Sequence, residues 1–207
     1  LRVETINHPL AQHKLSGLRD KNTKPADFRR ILEEITVILF TYASQNLPLT
    51  DAVVTTPLAT SRCRKLKDDL LLVPILRAGL GMLTPILKLV PNARVEFMGL
   101  RRDESTLEPI QYYSHLTEKD SVTHAFILDP MVATGGSVLY TARSIKRNGF
   151  IHVTIVSVLT SARAASRLEK EGGDERLYTA CIDPELNERG FIVPGLGDAG
   201  DRIYATF

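Results

Sequence analysis

Tryptophan is absent from the 207 residues, and all aromatics together make up 6%. A surface that reads RNA by stacking bases on exposed rings has little to build with. An excess of one charge is missing too: 26 Lys and Arg stand against 24 Asp and Glu. No broad positive field is therefore expected, and no nucleic-acid partner. Only two cysteines occur, Cys63 and Cys181, and no CxxC pair. That excludes a disulfide framework and predicts free thiols in a reducing compartment, the cytoplasm. The five histidines are scattered, with no HExxH spacing, so no protein-built metal site is expected. No stretch approaches the roughly 18 apolar residues that a membrane span needs, and Leu1–Thr5 lacks the apolar core of a signal peptide.

What is present fits a single globular unit over 1–207, long enough for a sizeable core. Phe28, Ile31, Leu32, Ile35, Ile38, Leu39 and Tyr42 recur at helical spacing, which predicts a helix over 26–46 docked on the core or on a second subunit. Thr23 is a candidate cap and Pro25 suits the first turn. Downstream, apolar runs at 70–76, 95–100, 125–128, 151–159 and 177–182 read as strands. Helical stretches at 80–89, 137–147 and 162–170 fall between them. This alternation predicts an α/β fold with a mostly parallel twisted sheet flanked by helices. In such sheets ligands sit at the carboxyl ends of the strands. Two segments interrupt the pattern, a polar link at 101–123 containing Tyr112 and Tyr113, and a tail at 184–207 rich in glycine. Each follows a strand end, where a long loop is usually functional.

The run His124-Ala-Phe-Ile-Leu-Asp129-Pro130-Met131-Val132-Ala133-Thr134-Gly135-Gly136-Ser137 carries the most chemistry. It reads as a buried strand, an acid, a loop of small residues and a helix start. Gly135 and Gly136 let backbone approach a ligand closely. The N–H groups that follow can cradle a phosphate, and Thr134 and Ser137 add hydroxyls. Asp129 can accept hydrogen bonds from sugar hydroxyls. No lysine completes a GxxxxGK[ST] loop and GxGxxG is absent, so a phosphate on a sugar fits better than a triphosphate. Arg77 follows the strand 70–76, where its planar fork suits a diphosphate. Arg101 and Arg102 follow the strand 95–100 and cannot be told apart on physical grounds. Gly195, Gly197 and Gly200 flank Asp198 and Ala199, keeping side chains away from main-chain donors and acceptors that could read a small flat base.

An apolar strand, an acid and then A-T-G-G-S resembles the phosphoribosyl-diphosphate signature of type I phosphoribosyltransferases. Asp129-Pro130, where most members carry two acids, is similar to the uracil phosphoribosyltransferase branch. Residues 74–82, 101–109 and 192–204, with Asn7-His8-Pro9-Leu10 and His13-Lys14-Leu15, resemble the same branch. The resemblance implies a type I phosphoribosyltransferase fold with a helical arm at about 1–46, a flap at about 102–123 and a C-terminal base-binding hood at about 184–207. It implies that uracil and 5-phospho-α-D-ribose 1-diphosphate (PRPP) give UMP and diphosphate, with Mg2+ held mainly by PRPP. It favours Arg102 over Arg101. It assigns Arg77, Arg102, residues 129–137 and Asp198 to PRPP, and Ile192, Gly197, Asp198 and Ala199 to uracil. Asp198 would face the ribose or a metal, which places it with Arg77 and Arg102 in the catalytic set. GTP, an effector of some relatives, and self-association are further expectations. A regulatory, RNA-binding relative of the pyrimidine-operon attenuators is the alternative, against which the near-neutral charge counts. Two departures stand out: Ser161-Ala162-Arg163-Ala164-Ala165 replaces the usual A-P-E-G-I, and Ala205 stands where glycine is usual.

Overall fold

The structure, a computed structural model, describes residues 1–102, 109–116, 123–150 and 152–206, with the side chain of Arg102 excepted. The chain opens with β1 (Arg2–Thr5), α1 (Pro9–Arg19) and α2 (Pro25–Ala43). A hairpin of β2 (Leu49–Thr55) and β3 (Thr60–Leu66) leads to β4 (Leu70–Leu76), α3 (Leu80–Leu89), β5 (Arg94–Val95) and β6 (Met98–Arg102). Then come β7 (Pro109–Ser114), β8 (His124–Leu128), β9 (Met131–Val132), α4 (Gly136–Arg147), β10 (His152–Ser161), α5 (Ala162–Glu171) and β11 (Arg176–Asp183). The tail forms β12 (Glu185–Leu186), β13 (Ile192–Val193) and α6 (Ala199–Tyr204).

The main sheet runs β1-β11-β10-β8-β4-β6-β7, with β5 on β4 and β9 on β10. Its pairings are parallel except that of β6 with β7. β4 is apolar along its whole length because it is covered on both faces. Leu70 and Leu72 point into one cluster with α1, α2, α3 and α6, while Leu71, Val73 and Ile75 point into the other with α4 and α5. The apolar face of α2 is buried within this chain: Phe28, Leu32, Ile35 and Leu39 are at most 1% exposed.

Four expectations need correction. Thr23 does not cap α2; the N-cap is Lys24, and the Thr23 hydroxyl donates instead to the Gly17 carbonyl at 2.6 Å, tying α2 to α1. The strand expected at 95–100 is broken in two, with the buried Glu96 between β5 and β6. The polar link contains a strand, β7, and Tyr112 and Tyr113 lie on it, half exposed; residues 103–108 and 117–122 of the expected flap lie outside the described residues. The region expected to be a helical arm begins with a strand, β1.

Candidate active site

A cleft of about 680 Å³ opens at the carboxyl ends of β4, β6 and β8 and is roofed by the tail. Arg77, Asp129, Met131, Ala133, Ser137, Ile192, Gly197, Asp198 and Ala199 all line it. Val132, Thr134 and Gly135 line an adjoining recess shared with Asp129 and Ser137. Gly136 begins α4. Pro130 is buried, its carbonyl accepting from Val158 N–H and Leu159 N–H at 3.2 and 3.0 Å. Arg101 lines the cleft. Arg102 ends β6 beside it, with a side chain outside the described residues.

The loop after β8 has the geometry that an anion cradle requires. Gly135 is the N-cap of α4 with φ +78°, a conformation that glycine adopts at little cost. Among the described residues no side chain caps this helix, and its first N–H groups have no partner within the helix itself. A Cβ on Gly135 would face Leu168 and the Ala164 carbonyl, 3.4 and 3.6 Å away on α5. The constraint on a side chain there is therefore backbone conformation, not obstruction of the nest. The departure at 161–165 is explained here: the Ser161 hydroxyl donates to the Ala133 carbonyl at 2.5 Å and accepts from Ala164 N–H at 2.9 Å. One side chain thus caps α5 and steadies the loop. Asp129 projects at the strand end, accepting from Met131 N–H at 3.3 Å.

Arg77 is placed by close packing of the loop beneath it. A Cβ on Gly79 would lie 2.3 Å from the Leu128 carbonyl oxygen and 2.7 Å from Ile75 backbone atoms. Only glycine lets the loops after β4 and β8 come so near. The Arg77 guanidinium is half exposed and meets Asp201 at 3.2 Å. The Tyr204 hydroxyl donates to the Arg77 carbonyl at 3.2 Å. Burial raises the pKa of that phenol, against the opposing charge of Arg77. Asp198 is the N-cap of α6, accepting from Asp201 N–H at 2.9 Å.

Asp201 was not singled out in the sequence, nor were Glu188, Arg189, Gly190 and Phe191, which also line the cleft. The latter belong to a small hairpin in which Asn187 Oδ1 accepts from the N–H groups of Arg189 and Phe191 at 3.0 and 2.9 Å. The Asn-Glu-Arg-Gly turn between Leu186 and Phe191 was the available signal. Asp201 left none, since its partner lies 124 residues away.

Comparison with known proteins gives a consistent result. A family profile described as uracil phosphoribosyltransferase matches residues 5–206. A uracil phosphoribosyltransferase from Thermus thermophilus is 46% identical over 207 residues, covering 100% of both chains. One from Campylobacter fetus is 44% identical over 204 residues, covering 99% of this chain and 98% of its own. Among solved structures, the AQ2163 protein from Aquifex aeolicus superposes with a TM-score of 0.92 at 36% identity, covering 98% of each chain. A hypoxanthine phosphoribosyltransferase from Staphylococcus aureus shares the fold, with a TM-score of 0.50 at 14% identity over 79% of this chain and 76% of its own. With the anion loop, the arginine at the end of β4 and the glycine-rich tail gathered on one cleft, the chain belongs to the uracil phosphoribosyltransferase family.

Proposed function

We propose that the cleft transfers the phosphoribosyl group of PRPP to uracil, giving UMP and diphosphate, a reaction of pyrimidine salvage. The observation that carries this is the meeting, at one set of strand ends, of an uncapped helix start, an arginine and main-chain groups free of side chains. Residues 130–137 hold the 5′-phosphate and Asp129 the ribose hydroxyls. Arg77 and Arg102 stabilise the departing diphosphate while the anomeric carbon gains oxocarbenium character. Ile192, Gly197, Asp198 and Ala199 read the base. Catalysis is then mainly positioning and charge stabilisation. Mg2+ supplies charge neutralisation on the diphosphate when bound. Asp129 and Asp198, the two carboxylates among the assigned residues lining the cleft, suit it.

Self-association and cytoplasmic residence belong to the same reading. Among the described residues the β2–β3 hairpin has no third strand, and it carries Val53 at 69% and Leu58 at 97% exposure, an apolar arm fit for a second copy. Cys63 and Cys181 are free thiols, as a reducing compartment favours. The test is UMP formation from labelled uracil with and without PRPP, repeated with GTP added, beside RNA retention on the same sample. PRPP-dependent UMP is the expected outcome. RNA retention without UMP formation would favour the regulatory alternative.

A further inference from the structure

Behind the glycine-rich tail, away from the cleft, lies an ion pair between the two ends of the sequence. Asp183 is the last residue of β11, and its side chain is 4% exposed. Arg19 comes from the last turn of α1. Arg19 Nη1 and Nη2 donate to Asp183 Oδ2 and Oδ1, each at 2.7 Å, a two-pronged pairing. The same pair holds Gly195 from both sides: Asp183 Oδ2 accepts from Gly195 N–H at 2.8 Å, and Arg19 Nη1 donates to the Gly195 carbonyl at 2.8 Å.

We infer that Arg19 and Asp183 are positioning residues for base recognition, fixing through Gly195 the turn that presents Ile192 and Gly197 to uracil. This rests on the reading of those residues as the base site. Neither Arg19 nor Asp183 lines the cleft, so any effect on the base passes through the backbone that they grip. The turn is tight: Gly195 has φ +60°, and a Cβ there would lie 2.0 Å from the Ile192 carbonyl oxygen. A shift of Gly195 therefore moves Ile192. The next carbonyl, that of Leu196, is held likewise by Arg202 Nη1 at 2.8 Å, while Arg202 Nη2 donates to the Asp20 carbonyl at 2.6 Å. Two successive carbonyls of the base segment are thus clamped by arginines anchored on α1 and its C-cap.

A buried ion pair is weak evidence for stability, because desolvation offsets much of the attraction. Holding a recognition surface in register is a use that does not require net stabilisation. In support, Asp183 stays ionised: burial pushes its pKa up, but Arg19 and the Gly195 N–H more than reverse this and leave it lowered.

The experiment compares Asp183→Asn, Arg19→Lys and Gly197→Ala in the full chain, measuring KM for uracil and for PRPP, kcat/KM for uracil against cytosine, and Tm. Asp183→Asn is expected to raise the uracil KM on the order of tenfold, since small misplacements weaken recognition strongly. The PRPP KM should stay within about twofold, because that subsite is built on other elements. The preference for uracil over cytosine should narrow. Arg19→Lys, which keeps the charge without the fork, should fall between this variant and wild type, and it stays informative should Asp183→Asn fold poorly. Parallel rises in both KM values with a lower Tm would show a merely structural role and overturn the inference. So would an unchanged uracil KM in Asp183→Asn and Arg19→Lys while Gly197→Ala raises it, which leaves the base site standing. If Gly197→Ala is also silent, the base-site reading fails and takes the inference with it.

Discussion

In the proposed reaction, Arg77 is the residue on which the chemistry would lean most. Its guanidinium is reachable from the cleft and oriented by Asp201 at 3.2 Å. Replacing it with alanine should cost about 2–4 kcal/mol of transition-state stabilisation, as expected for a lost donor on developing charge. Arg77→Lys should recover only part, lacking the planar fork; kcat/KM for both variants is the measurement. Ala205 offers a second prediction, on stability. It is the C-cap of α6 with φ +55°, a left-handed conformation costing a Cβ-bearing residue roughly 1–2 kcal/mol. Glycine removes that strain but gains chain entropy when unfolded, worth about 0.4–1 kcal/mol. Ala205→Gly should therefore raise stability by about 1 kcal/mol in chemical denaturation. The gathering of Arg77 and of residues from the 129–137 run at one cleft was legible because both lie in short segments directly after an apolar strand. Arg19, Asp183 and Asp201 were not, because each acquires its role from a partner more than a hundred residues distant.

Among the elements, those with a strong period were read nearly to the residue: β4 and α3 coincide with 70–76 and 80–89. The β2–β3 hairpin was missed because one face is exposed and the other only half-buried at Ala52, Val54, Ser61 and Cys63, leaving little apolar alternation to detect. β1 was missed, and α1 was expected only as part of the helical arm that the resemblance implies, because their apolar residues are few, although Ala11, Leu15 and Leu18 are buried. The tail was singled out by its glycines, and its proposed use as a base reader supplies the third prediction. Main-chain donors and acceptors cannot reverse roles by rotation or protonation. Cytosine inverts the pattern at N3 and at position 4, so it leaves two polar groups unmatched, at about 1–3 kcal/mol each. Uracil should be preferred on the order of a hundredfold or more in kcat/KM. Comparable values for the two bases at saturating PRPP would show that the tail does not discriminate in this way.

At the scale of the whole molecule, the helix expected to serve either core or partner serves the core, and exposed apolar surface lies on the hairpin instead. Leu58→Glu at the hairpin tip should shift the protein toward monomer in analytical ultracentrifugation while leaving the monomer fold intact by circular dichroism. An unchanged assembly would place the interface elsewhere. The end of the sheet opposite the cleft sets a pH response. His124 and His152 sit side by side on β8 and β10 with ring centroids 4.6 Å apart. Burial, then the charge of His152, lowers the pKa of His124, with Asp68 opposing. Because the folded value lies below the unfolded one, near 6.5, unfolding takes up a proton in between. The stability is fully present above about pH 6.5 and declines as pH falls toward the folded value. Tm measured from about pH 7.5 to 5 should fall less in His124→Asn; Asp183 and Glu175, whose values are lowered, take effect mainly below about pH 5.

The grip of α1 and α2 on the tail also bears on how the protein comes into being. Arg29 Nη1 donates to the Ile203 carbonyl at 2.7 Å, and Asp201 and Tyr204 hold Arg77. On the ribosome, α6 emerges after every strand, when the helices that receive it have long been waiting. A nascent chain can thus assemble its sheet and anion loop while the base reader and the partners of Arg77 are both still missing. The two deficits are repaired by the same late docking event, so under the proposed assignment an unfinished chain would hold the loop for the sugar phosphate before it holds the tail that completes the cleft.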